Sequence, residues 1–450
     1  MGIRELPTWL QKPTQILPLA IFRMAFGFLM CFSQLRFMFK GWIEACYVEP
    51  NFHFTYQYFE WVKPFDLTTM YILVGASALF ALFIGLGLFY RISTVAFFLL
   101  FTYLELIEKS WYLNHYYFAS LVAFLLIWLP AHRNYSFDAI NFKAIRLKKV
   151  PRWTILVLKI QVAVVYLFGG IAKLNPDWLF EAQPLKIWLR ARTDTPFIGS
   201  LFEYDLTPYL FSWGGLLYDL TIPFLLWTKR TRPWAYVFVV GFHVMTYILF
   251  NIGMFPWMMI AASLIFITDE EWGKLFRRLG IHGREITANT EVYKTNKVAF
   301  PLLLVYLAFQ FLFPLRHYAL TDNVSWTENG FRFAWHVMVM EKNGFAEFTV
   351  VDNNNGKKFT VYPSQYLSEI QEKQMSFQPD MIWQFARYLA VKHDPEGTGN
   401  LSIFVNSKVS LNGRSSQTYI DPELDLLKIK AMDAIYGNVV ELEQPIHKIP

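Results

Sequence analysis

The chain has 450 residues, 54% of them hydrophobic and 19% aromatic, with a mean hydropathy of +0.28. That composition is too apolar for a water-soluble globule and fits a polytopic membrane protein. The net charge of +6 is no nucleic-acid signature, because the basic residues cluster in short segments between apolar runs, and two cysteines, Cys31 and Cys46, exclude a disulfide framework or a cysteine metal motif.

Residues 1–15 read as an amphipathic lead-in, with Trp9 and Leu10 beside Arg4 and Lys12. Apolar runs then follow at 16–37, 68–90, 93–107, 114–130, 154–172, 213–228, 234–251, 254–268 and 298–314. Several approach the ~20 residues a spanning helix needs. Because the run at 93–107 is short, eight or nine spans are expected. The first run starts late and continues through the membrane, so no cleavable signal peptide is expected. The aromatic loop 38–67 should lie in the membrane interface, and the half-apolar stretch 173–212 should form re-entrant or surface helices.

Three basic segments separate the runs. Residues 131–152 hold Arg133, Lys143, Arg146, Lys148, Lys149 and Arg152 against Asp138, and the turn Lys229-Arg230-Thr231-Arg232 is as basic. Residues 269–297 add Lys274, Arg277, Arg278, Arg284, Lys294 and Lys297. Cationic loops stay cytoplasmic, which places these segments and the N-terminus inside. Lys173 and everything beyond about residue 315 then fall outside.

Beyond Phe313-Pro314 the chain turns polar. Glu347–Val351 and Lys358–Val361 flank Asn353-Asn354-Asn355-Gly356 as a β-hairpin, a helix is expected at about 379–392, and Leu401–Val405 with Lys408–Ile420, bending at Asn412-Gly413, reads as a second hairpin. The expected fold is mainly α: a polytopic helical membrane bundle, 1–315, holding the active-site cavity, and a small α+β domain, 316–450, on the outer face.

Ionisable residues inside a membrane are costly and are functional candidates by default. The run beginning near Thr154 carries Lys173 at its far end, just before Asn175-Pro176-Asp177-Trp178. Burial disfavours an ammonium relative to the free amine, as suits a base, whereas a lysine snorkelling beside Trp178 would only anchor the helix end. Asn114 and His115 open the fourth span at the same depth, and His115 is the expected partner of Lys173. Asp219 lies one turn into the sixth span after Trp213-Gly214-Gly215, where the glycines permit close helix contact. It could pair with a cation or serve helix–helix packing. His243, in mid-span, reads either as a site residue or as a hydrogen-bonded structural histidine. Arg332 and Trp335 stand near the root of the outer domain, where Arg332 could hold a carboxylate or a structural salt bridge. No His and carboxylate positions recur at ligand spacing, so no metal is expected.

These segments resemble the vitamin K-dependent γ-glutamyl carboxylase family, with its horizontally transferred transmembrane domain. The resemblance runs in order from about 15 to 430 through Gly169-Gly170-Ile171-Ala172-Lys173-Leu174-Asn175-Pro176-Asp177-Trp178, Trp213–Leu220, Phe242-His243, Ile252–Phe255, Pro314–Tyr318 and Ala334–Met338. It implies that a lysine deprotonates a reduced vitamin K hydroquinone, which reacts with O2 to form an epoxide. A strong base formed on the way removes the γ-proton of a peptide glutamate, and the carbanion captures CO2. Lys173 matches the family's lysine and His115 its active-site histidine, with Asn114 before it. Trp213, Asp219, His243, Arg332 and Trp335 fall in matched segments and are candidate substrate or quinone contacts.

Two departures stand out. Ser212 replaces a histidine before Trp-Gly-Gly, and Phe331 a tyrosine. The animal enzyme also continues well past the point matching Pro450, which puts binding of a long propeptide in doubt. A short form looks bacterial, with the outer domain periplasmic and a menaquinol-type naphthoquinol as cosubstrate beside a glutamate-containing peptide. The alternatives are a quinol oxygenase without carboxylation and a non-catalytic membrane partner.

Overall fold

The structure, a computed structural model, describes residues 8–250, 252–281, 293, 299–321, 323–397 and 399–443. Arg4, Arg284, Lys294 and Lys297, named above, lie outside the described residues.

The apolar runs form helices: α1 Leu17–Phe39, α2 Leu67–Leu86, α3 Tyr90–Ile107, α4 Asn114–Trp128, α5 Trp153–Ala172, α6 Leu206–Trp227, α7 Arg232–Phe250, α8 Phe255–Ser263 and α9 Ala299–Leu312. Among the described residues seven helices are long and apolar enough to cross a membrane, α9 being counted there as Ala299–Leu320 with its extension. The shorter apolar α4 and α8, the latter extended by a 3-10 turn to Phe266, complete the nine expected runs. The chain is thus a polytopic helical membrane protein.

Helix α6 starts at Leu206, two turns earlier than the apolar run suggested, because Pro208 is tolerated in a first turn. Asp219 consequently sits in the middle of the helix rather than one turn in. The run that ends at Lys173 holds a second cation: Lys159 lies inside α5, its ammonium 5.4 Å from the Phe266 ring centre.

Among the buried charges that the sequence reading left out is an arginine of the first span. Arg23 of α1 donates Nη1 to the carbonyls of Ile84 and Gly85 at 2.8 and 2.9 Å, and Nη2 to Tyr135 O. It thereby adds donors at the carbonyl end of α2, where Ile84 O also accepts from the C-cap Gly87 N at 3.0 Å. The basic segments gather at that end of the bundle. Pro13–Gln15 pairs antiparallel with Lys149–Pro151, and Arg232 and Lys229 reach Glu271 and Glu270 of the helix Asp269–Arg278.

At the opposite end sits the C-terminal α+β domain. Strands β1 Lys342–Asp352, β2 Lys358–Val361, β3 Leu401–Leu411 and β4 Gln417–Thr418 form an antiparallel sheet in the order β2–β1–β3–β4. The first hairpin is as expected. The second differs: β3 runs unbroken through Asn406-Ser407, because all its residues pair with β1, from Lys342 opposite Leu411 to Asp352 opposite Leu401. Helices α10 Glu369–Met375 and α11 Pro379–His393 cover the sheet, Phe385 meeting Phe348 edge-on at 5.0 Å. This core also takes in Phe54, fully buried, with Phe52 packed against it. That part of the aromatic loop therefore lies in the C-terminal domain rather than in the membrane interface.

Candidate active site

Lys173 is the C-cap of α5, and the chain stops there because Asn175 caps a new short helix, Pro176–Phe180. Asn175 Oδ1 accepts from Trp178 N while its Nδ2 donates to Ala172 O. Helix α6 comes close at this point: a Cβ on Gly170 would lie 2.7 Å from Leu220 Cδ2 and 3.2 Å from Leu220 N. A Cβ on Gly214 would meet nothing within 4 Å, so the close contact uses the glycines of α5 rather than those of α6.

That approach puts two opposite charges together. Lys173 Nζ donates to Asp219 Oδ2 at 2.8 Å and to Gly169 O at 3.0 Å, and lies 5.2 Å from the Trp178 ring centre. Both residues are buried, yet both line a cavity of about 600 Å3. His243 lines it too. Its Nε2 meets Tyr166 Oη at 3.0 Å, and Tyr218 Oη donates to Tyr166 Oη at 3.5 Å. With that chain of hydroxyls running toward Nε2, the tautomer carrying its hydrogen on Nδ1 is the one that fits. His243 Nδ1 has no partner among the described residues, although the residue is 2% exposed. Aromatic and aliphatic side chains, among them Trp178, Phe242 and Phe255, make up most of the remaining wall.

His115 is not the partner of Lys173. It lines a neighbouring cavity of about 520 Å3, together with Asn114, Trp42 and Trp111. The two cavities share Ile252, Phe255, Val337 and Met338 as a common wall. Phe255 stands between the histidines, its ring centre 6.1 Å from that of His115 and 6.0 Å from that of His243.

The Val337-Met338 part of the wall belongs to a strained loop, with Phe333, Trp335 and Met338 all in the left-handed region at φ of 63, 63 and 53°. Asn114 helps hold it. Its Nδ2 donates to His336 O at 3.2 Å and its Oδ1 accepts from Tyr112 Oη, which in turn accepts from Phe333 N. Trp335 is completely buried beside Tyr117 and Phe118 and lines neither cavity. It plugs the loop into the bundle.

Trp213 is also outside both cavities. It is 44% exposed and donates its indole N–H to Leu179 O at 3.1 Å. Arg332 is in an ion pair, donating to Asp380 Oδ2 at 2.8 Å and also to Gln378, while Lys109 Nζ reaches the same Asp380 oxygen at 2.6 Å. Burial pushes the Asp380 carboxyl up, but Arg332 and Lys109 outweigh it and hold it well below the usual carboxylate range. Burial brings the Lys109 amine down to about 8 despite that acid.

Family models match most of the chain: the HTTM domain over residues 11–272, and the vitamin K-dependent gamma-carboxylase lumenal domain over residues 295–434. The chain belongs to the vitamin K-dependent gamma-carboxylase family. No solved structure matches it. It is accordingly a carboxylase-like integral membrane protein.

Within this carboxylase-family chain the expected site residues divide three ways. Lys173, Asp219 and His243 share one cavity, Asn114 and His115 the adjoining one, and Arg332, Trp213 and Trp335 neither. Of the family departures, Ser212 is bonded through Oγ to Trp178 O, and Phe331 stacks on His336 at 4.9 Å. Neither lines the two cavities. The sequence reading missed Tyr166 and Tyr218. The available signal was position: Tyr166 precedes Lys173 by seven residues, two helical turns on one face, and Tyr218 adjoins Asp219.

Proposed function

We propose that this protein is an integral-membrane γ-glutamyl carboxylase that couples oxygenation of a reduced naphthoquinone to carboxylation of peptide glutamate. The observation that supports it is a buried Lys173–Asp219 pair in a largely apolar cavity, separated by one thin wall from a cavity holding His115.

The larger cavity suits an aromatic diol. Its walls are mostly apolar, and its polar groups, Lys173, Asp219 and His243 among them, are few. Lys173 would take the proton of one hydroxyl, and His243, tied to Tyr166, would shape the wall beside it. Asp219 holds Nζ at the cavity wall and would balance the charge the amine gains. A bound reduced naphthoquinone of the vitamin K or menaquinol type supplies, with O2, the strong base and leaves as its epoxide. The apolar walls keep water from quenching that base. Across the wall His115 would attend the glutamate that loses its γ-proton and takes up CO2.

In this reading residues 1–315 form the membrane domain and 316–450 the outer domain. Clustering of the basic segments at the far end supports a cytoplasmic N-terminus and an extracytoplasmic C-terminal domain. For a bacterial inner membrane, the domain and its glutamyl protein would be periplasmic.

The test is a reaction in nanodiscs with reduced menaquinone, O2, labelled bicarbonate and a glutamyl peptide. Epoxide and peptide-bound label are expected together, and both should fall by three orders of magnitude or more in Lys173→Ala, a loss of about 4 kcal/mol of transition-state stabilisation. His115→Ala should lower carboxylation more than epoxidation. Epoxide without label would leave a quinol oxygenase. Full cellular function in Lys173→Ala would point instead to a non-catalytic membrane partner.

A further inference from the structure

Among the described residues the buried cations are matched. Lys173 has Asp219, Lys109 and Arg332 have Asp380, Lys342 has Glu328, Arg232 has Glu271, and Arg23 has its three carbonyls. Arg36, in the last turn of α1, is half-buried and, like Lys159 of α5, makes no ion pair among the described residues. It lines the His115 cavity, and its side chain makes no hydrogen bond or ion pair among the described residues. Its guanidinium stands over the Trp42 ring, which also lines the cavity and whose centre lies 4.8 Å from Cζ.

A guanidinium that lines a cavity with no anion opposite is available to take one. It holds parallel N–H donors in a rigid fork that matches a carboxylate with two bonds, and stacking on an indole fixes the plane of that fork. The other walls supply aromatic rings, Trp111 and Tyr116, and the polar His115 and Asn114, but no carboxylate to compete. At about 520 Å3 the cavity has room for a side chain and the peptide backbone that carries it.

We infer that Arg36 is a substrate-binding residue that captures the γ-carboxylate of the glutamyl side chain in this cavity. The inference rests on the functional reading above and goes beyond it by naming the group that recognises the substrate. It also gives Arg36 a part in the chemistry. When the γ-C–H bond breaks and its proton passes to the base, the electron pair stays on the γ-carbon and spreads into the adjoining carboxylate. The guanidinium offsets the second negative charge that gathers there, until a new C–C bond to CO2 moves it away.

Direct binding tests this without turnover. The full chain in nanodiscs would be titrated with a fluorescent peptide carrying one glutamate, and with its glutamine counterpart. Wild-type protein should bind the glutamyl peptide at least tenfold more tightly. Arg36→Gln should abolish that preference while leaving glutaminyl affinity as it was, and Arg36→Lys, which keeps the charge and loses the fork, should fall between. If the variants do not fold, competition on the wild type decides: glutarate should displace the glutamyl peptide and glutaramide should not.

A glutamyl preference that survives in Arg36→Gln overturns the assignment. So does an equal loss for both peptides, which would mark Arg36 as packing for Trp42. No glutamyl preference in the wild type, or displacement by phosphate-bearing lipid in place of glutarate, overturns it too. Failure of the catalytic reading would look different: selective glutamyl binding through Arg36 with neither epoxide nor label formed.

Discussion

At Lys173 the chemistry is set by what the residue leans on. Asp219 and the Gly169 carbonyl both accept from Nζ, so the amine cannot swing toward water. Asp219→Asn keeps the volume and removes the charge. It should slow epoxidation at least tenfold without changing the affinity for an unreactive quinone, measured by competition; an unchanged rate would reduce Asp219 to a helix-packing group. The lysine was legible in the sequence because a cation at the end of an apolar run is conspicuous. Its partner was not. Asp219 lies 46 residues away, and the Tyr166–His243 bond spans 77, distances over which periodicity carries no information. Placing His115 opposite Lys173 assumed that residues at one depth share one cavity, and Phe255 is the side chain that separates them.

Helices α5 and α6 meet through bare backbone. Gly170→Ala would force Leu220 away, an overpacking that typically costs about 1–3 kcal/mol. It should also draw Asp219 back from Lys173, so activity is expected to fall further than the melting temperature alone explains. The apolar runs located the spans well, since a membrane demands continuous hydrophobic length. They located ends poorly where polar residues belong to a helix, as at Leu206–Ser212 of α6. In the sheet, Asn406-Ser407 carry a turn signal that β3 overrides, because β1 supplies a partner to every residue along it.

The whole molecule is joined by polar contacts at the boundary between bundle and C-terminal domain. Glu108 Oε2 accepts from Phe54 N and Gln371 Nε2, and burial raises its carboxyl to about 7 despite these bonds. A group whose folded value is raised contributes stability that is complete below its unfolded value, about 4.3, and lost as pH rises through about 7. Amide exchange at Phe54, corrected for its intrinsic rate, should therefore be slower at pH 5 than at pH 8. Asp177, four residues past Lys173, is held by Asn412 Nδ2 at 2.6 Å and by both terminal nitrogens of Arg414 at 2.8 and 2.7 Å. Arg414→Ala leaves a buried carboxylate short of its main partner, a change that typically costs about 3–5 kcal/mol. Thermal unfolding followed by tryptophan fluorescence should register it as a lower midpoint. No sequence pattern foretold this clamp, which joins a helix start to a turn 237 residues away.

The clamp also imposes an order on biosynthesis. A ribosome delivers the lysine long before the arginine that steadies the segment after it, so the bundle can enter the lipid while its reaction chamber is still unfinished. Only when the last strands emerge and fold does the segment after Lys173 acquire its Asn412 and Arg414 contacts. On the proposed function, the strong base would form only once the chain is fully made and inserted.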